Sequence, residues 1–140
     1  MLKVKKVVPH AILPSKAHAG DLGYDLYAAD QVTLFAGETK LIPTGIAAQF
    51  PEGYGGLIRD RSSVATKRFL FNVAGVIDNG YTGEIKVALY NSTDGFQTIY
   101  RGDKIAQMVL IPTVDFSVEE VMDITSADGR GDNGFGSTGN

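Results

Sequence analysis

Asp78-Asn79-Gly80-Tyr81 places a carboxylate at a two-residue turn signal, between the strand-like runs Phe69 to Ile77 and Glu84 to Tyr90. Asn-Gly is the strongest short hairpin signal, and a tight hairpin presents rigid backbone amides and carbonyls suited to reading the edge of a base. A carboxylate held there could serve as a general base toward water. Taken alone, an Asp at such a point is by default the cap of its own turn. The second chemical cluster is Gly129 to Gly139, with five glycines around Arg130, Phe135 and the pair Ser137-Thr138. A segment this rich in glycine is entropically costly to order and has no apolar stripe to bury, so a mobile arm is expected. Its groups nevertheless suit a nucleotide. Glycine amides and hydroxyls can meet phosphate oxygens, a guanidinium can supply charge, and a phenyl face can stack on a base. By itself the stretch also reads as a functionless tail.

Two familiar glycine patterns fail here. Gly129, Gly131 and Gly134 fit G-x-G-x-x-G, as do Gly134, Gly136 and Gly139, but that fingerprint belongs between a strand and a helix. A P-loop is excluded because no lysine follows the glycines.

The elements that must position these groups read as strands. With 140 residues, 44% hydrophobic and 21% charged, the chain has ordinary globular composition and fits one domain, 1–128, followed by the arm, 129–140. Strand signals run over Leu2 to Val8, Val32 to Phe35, Lys40 to Phe50 (interrupted by Pro43 and Gly45), Gly56 to Arg59, Phe69 to Ile77, Glu84 to Tyr90, Lys104 to Ile111 and Phe116 to Met122. Ile85, Val87 and Leu89 alternate with Lys86, Ala88 and Tyr90. Only Ser62 to Arg68 could make a helix, of about two turns. An all-β fold with a jelly-roll or barrel-like pair of sheets is the natural architecture.

The net charge of −3 argues against stable nucleic-acid binding, and the absence of cysteine excludes thiolate chemistry. Met1 to Val8 has charges and no long apolar stretch, so neither a targeting segment nor a membrane span is expected, and an intracellular soluble protein is.

The run Gly75 to Gly83 resembles the third motif of the trimeric deoxyuridine triphosphatases, the dUTPases. Ala19 to Ala29 is similar to the first motif, Asp60 to Ala65 to the second, Arg101 to Met108 to the fourth, and Arg130 to Gly139 to the fifth. Five motifs in the family's order are highly specific. The resemblance implies the dUTPase fold, a distorted jelly roll, and hydrolysis of dUTP to dUMP and pyrophosphate by water attack on the α-phosphorus. Such an activity limits uracil incorporation into DNA and supplies dUMP for thymidylate synthesis.

The resemblance also implies roles. Asp78 would be the general base, and Tyr81 would pack where a 2′-hydroxyl would sit. Asn72, with the backbone of Gly75, Val76, Ile77 and Lys86, would bind the uracil edge. Arg61, Ser62, Ser63 and Gln107 would contact the triphosphate. Asp25 would hold Mg2+ through water, the metal sitting mainly on phosphate oxygens. Arg130, Gly136, Ser137 and Thr138 would close on the phosphates while Phe135 stacks on the base. A homotrimer with shared active sites is implied as well. Without the family match, Arg61 could cap the helix or pair with Asp60, Gln107 could be a solvated strand residue, and Asp25 a turn residue. Tyr24, Tyr27 and Tyr90 read as packing, His10 and His18 have no catalytic claim, and Asp103 reads as a structural ion pair.

The chain departs from the pattern at Asn133, where glycine is usual, and at Asp60, a carboxylate directly before Arg61. Among rivals, the related dCTP deaminases need a glutamate on the strand after the hairpin, where Ala88 stands, and alanine cannot shuttle protons. A nucleotide-responsive regulatory role could stand beside catalysis but not replace it, because a pure sensor has no need of Asp78 as a base. The Arg-Gly-Asp tripeptides at 101–103 and 130–132 are each explained by a matched motif, which leaves adhesion unsupported.

Overall fold

Alternating apolar residues build two sheets around one core. In a computed structural model, residues 1–136 are described and form β1 (Lys3–Lys6), β2 (Tyr24–Tyr27), β3 (Val32–Leu34), β4 (Thr39–Gln49), β5 (Tyr54–Arg59), α1 (Ser62–Arg68), β6 (Leu70–Val73), β7 (Val76–Ile77), β8 (Glu84–Asn91), β9 (Gln97–Ile99) and β10 (Lys104–Pro112). One four-stranded sheet has the order β1-β4-β8-β6 and the other β2-β10-β5-β7, while β3 and β9 pair separately. All these pairings are antiparallel. No helix among the described residues is long and apolar enough to cross a membrane.

The β8 alternation holds: Ile85, Val87 and Leu89 are buried while Lys86 and Tyr90 are exposed. These residues join Leu26, Ile58 and Met108 of the opposite sheet in a single apolar cluster. Removing such surface from water is the main favourable term in folding. Asn91 ends the strand inside the core, where a bare amide would be costly. Its Nδ2 donates to Leu34 O at 3.0 Å and Gly95 O at 2.8 Å, and its Oδ1 accepts from the backbone and hydroxyl of Thr93.

Pro43 and Gly45 do not break β4. They sit in a register shift against β8, between Pro43 and Ala47, and Gly45 has φ +70°. A Cβ there would lie 2.5 Å from the Val8 side chain, so the bulge needs glycine twice over.

Four expectations change. Two unexpected short strands appear, β2 at the edge of one four-stranded sheet and β9 paired with β3, each too short to show a clear alternation. The run Phe69 to Ile77 splits at Ala74 and Gly75, with φ of 61° and 110°, and its halves join different sheets. The Asp78–Tyr81 segment is therefore not a hairpin: it is a turn, closed by Tyr81 N donating to Asp78 O at 3.1 Å, at a corner between sheets. Phe116 to Met122 forms no strand; among the described residues regular structure ends at Pro112, and Val114, Phe116 and Val118 are exposed.

Candidate active site

Strand order explains which motifs meet. β10 lies between β2 and β5, with Gln107 paired to Asp25 on one side and to Arg59 on the other. Directly cross-strand residues share a face, so Asp25 and Gln107 stand together, and the chain leaving β5 brings Arg61 to them. A cleft of about 440 Å3 results, lined by Asp25, Arg61, Ser62, Ser63, Lys104 and Gln107 among others. Arg61 Nε donates to Asp25 Oδ1 at 3.0 Å, and Lys104 Nζ stands 3.4 Å from Asp25 Oδ2. One carboxylate thus aligns two cations at the start of α1.

Arg61 occupies the N-cap position of α1 with no side-chain cap bond, and its partner is Asp25 rather than Asp60. Asp60 turns away and accepts from the backbone N–H of Asn72, while its carbonyl accepts from Gln107 Nε2 at 2.8 Å. A Cβ at Gly23 would run into the Gln107 side chain, so this glycine keeps the amide in place. Asp103 does pair, with Arg68 at 3.9 Å.

A second cleft, of about 330 Å3, is lined by Ile58, Gly75, Val76, Ile77, Asp78, Tyr81, Glu84 and Lys86 among others. Asp78 is exposed there and has no ion-pair partner among the described residues. The Tyr81 ring folds back over Gly83 and its hydroxyl donates to Glu84 O at 2.7 Å. A Cβ at Gly83 would sit 2.6 Å from that hydroxyl oxygen. Gly75 is constrained in a second way, its φ of 110° being joined by contacts near 3.0 Å to Ile58.

Asn72 lines neither cleft. Its Nδ2 donates to Ile58 O at 3.0 Å and Ala74 O at 3.2 Å, bracing the Gly75 bend from beneath. Its Oδ1 is buried without a partner, an acceptor left available.

The arm residues stay apart from both clefts. Arg130 Nε donates to Asn133 O at 2.6 Å, and Phe135 is exposed with φ 50°. The backbone N–H of Arg130 and the Ser126 hydroxyl hold the Asp128 carboxyl below its usual range. Ser137 and Thr138 lie outside the described residues. Lys104 lines the phosphate-side cleft although motif reading assigns it no role, and Asn79, read only as half of a turn signal, binds the Pro51 and Tyr54 carbonyls beside Asp78.

Two antiparallel sheets carry an unpaired carboxylate in one cleft and two cations aligned on Asp25 in another, groups suited to a phosphate-bearing ligand. The family model described as dUTPase matches residues 9–139. A deoxyuridine 5′-triphosphate nucleotidohydrolase of Clostridioides difficile is 44% identical over 99% of this chain and 97% of its own length. One from Clostridium novyi is 46% identical over 99% of this chain and 98% of its own length. Among solved structures, a mutant dUTPase of Staphylococcus bacteriophage 80alpha with dUpNHpp superposes with a TM-score of 0.92, at 31% identity, covering 99% of this chain and 98% of that one. A mutant dUTPase from phage phi11 of S. aureus, described with a structural Mg(II) ion, gives 0.84 at 30% identity, covering 90% and 99%. The chain belongs to the dUTPase family.

Proposed function

We propose that the two clefts and the arm are parts of one dUTP-hydrolysing site assembled from more than one copy of the chain. As a dUTPase, the protein hydrolyses dUTP to dUMP and pyrophosphate. The observation that carries the assembly reading is the separation of the parts. β7 pairs with the start of β5, Gly56 opposite Ile77, whereas Arg61 follows its end. At about 3.3 Å per residue these points are roughly 15–20 Å apart, and the clefts share no lining residue. A triphosphate held by Arg61 would then meet the Asp78 of another copy.

In this reading the cleft of Gly75, Val76, Ile77 and Lys86 takes the uracil edge through backbone groups, with Asn72 bracing the Gly75 bend behind it. Tyr81, fixed over Gly83, closes the space a 2′-hydroxyl would need. Asp78, unpaired, takes a proton from the water that attacks the α-phosphorus. Arg61, Ser62, Ser63 and Gln107 bind the phosphates, and Asp25 holds Arg61 in its working direction. Phosphoryl chemistry of this kind rests mostly on positioning and charge stabilisation.

Among the described residues no group of three or more His, Asp or Glu could cage a metal. Asp25, which lines the phosphate cleft together with Asp21, fits Mg2+ that arrives on the triphosphate and keeps its waters. Asp25 is the residue that would face those waters, and the metal would supply charge to the phosphates. Arg130, Phe135, Gly136, Ser137 and Thr138 would close over the bound nucleotide and exclude water. Exposed Val114, Phe116 and Val118 favour a segment that crosses to a neighbouring copy, in keeping with the homotrimer that the family resemblance implies. No stable nucleic-acid or membrane partner is part of this reading. Pyrophosphate release from dUTP, UTP, dTTP and dCTP, measured side by side with Mg2+, tests it: only dUTP is turned over well, and equal turnover of UTP or dTTP contradicts the cleft assignment.

A further inference from the structure

The turn that carries Asp78 has little to hold it. β7 before it is two residues long, Ala74 and Gly75 before that have positive φ, and the Asp78 side chain is unpaired among the described residues. The Asn79 side chain supplies an anchor outside its own segment. Its Nδ2 donates to Pro51 O at 3.0 Å and to Tyr54 O at 2.7 Å, across 28 and 25 residues of sequence.

The anchor at the far end is firm. Tyr54 N donates to Pro51 O at 3.1 Å, closing a turn in which Gly53 has φ +78°. Thr113 N donates to Gly53 O at 2.8 Å, and Tyr54 pairs with Pro112 at the end of β10. The two carbonyls gripped by Asn79 thus belong to a turn fixed between two central strands. A primary amide can donate to both at once, which no carboxylate, methyl or single hydroxyl can do.

We propose that Asn79 is the positioning residue of the catalytic turn, setting the Asp78 carboxylate by clamping the turn to the Pro51–Tyr54 carbonyls. The proposal rests on Asp78 as the general base. Misplacement of a reacting group by about 1 Å costs on the order of 10²-fold in rate. A freed turn therefore lowers turnover while the base-binding backbone at Gly75 to Ile77, held by β5 and Asn72, still binds nucleotide.

The test compares Asn79→Ala and Asn79→Asp, the latter of equal shape without the N–H donors, with wild type and Asp78→Asn. Measured are kcat, KM, affinity for a non-hydrolysable dUTP analogue, the melting temperature and the pH profile of kcat. Both Asn79 variants are expected to lose roughly tenfold or more in kcat, with analogue affinity within about twofold of wild type and an unshifted pH profile. Wild-type kcat in Asn79→Asp overturns the clamp. A parallel fall of kcat, analogue affinity and melting temperature overturns it too, because a merely structural residue behaves that way. If Asp78→Asn keeps wild-type turnover, it is the base assignment that has failed, and the two failures are thereby told apart.

Discussion

Asp78 and Arg61 stand at opposite ends of β5, one held beside its first residues through β7 and the other just past its last. Both belong to motifs assigned above to one substrate, and in the proposed assembly a single copy of the fold holds two halves of different sites.

Asp78→Asn keeps the shape of the turn and removes the proposed base. Turnover of dUTP is expected to drop by at least about 10²-fold while analogue affinity is retained. Steady-state kinetics with equilibrium binding checks this, and undiminished turnover contradicts it.

Gly83→Ala tests the sugar gate without touching Tyr81 itself. The new methyl would meet the Tyr81 ring and hydroxyl at 2.6–2.8 Å, so the ring must leave its bond to Glu84 O. The ratio of kcat/KM for UTP to that for dUTP is expected to rise by roughly tenfold. An unchanged ratio in a folded variant would show that the ring does not exclude the 2′-hydroxyl.

Asp25→Ala releases both Arg61 and Lys104. With a charge-assisted bond worth about 1.5–3 kcal/mol lost from the phosphate cleft, kcat/KM should fall about tenfold or more, and the Mg2+ concentration giving half-maximal activity should rise. A Mg2+ titration identical to wild type contradicts a role for this carboxylate near the metal.

Deleting 129–140 removes the arm but none of the described strands, the last of which ends at Pro112. The melting temperature is expected to hold while turnover falls by roughly 10²-fold. Phe135→Ala alone should weaken nucleotide binding by about 1–3 kcal/mol through lost stacking. Full activity of the truncated chain contradicts the closing arm.

Much of this was legible before the structure. The helix at Ser62 to Arg68 and the β8 alternation follow from local pattern alone, because both bury one face against a core. The Asn79-Gly80 pair signalled a turn but not its partners: β7 and β8 enter different sheets, and sheet membership depends on long-range pairing that no local signal carries. Phe116 to Met122 has the composition of a strand and lacks a sheet within its own chain to join. The Arg61–Asp25–Lys104 cluster was hidden for the same reason, its members coming from β2, the chain beyond β5, and β10. Asn79 was hidden by its neighbour, since an Asn before Gly is explained by the turn itself.

The most direct test of a shared site is complementation between two inactive variants. Asp78→Asn and Arg61→Ala are prepared separately, then unfolded together and refolded as a mixture. Each site drawing its base from one copy and its arginine from another becomes intact in about a quarter of random pairings. The mixture is therefore expected to regain dUTP turnover near that fraction of wild type. Mixed oligomers that stay as inactive as their parents would place Asp78 and Arg61 in the same copy's site and contradict the assembly.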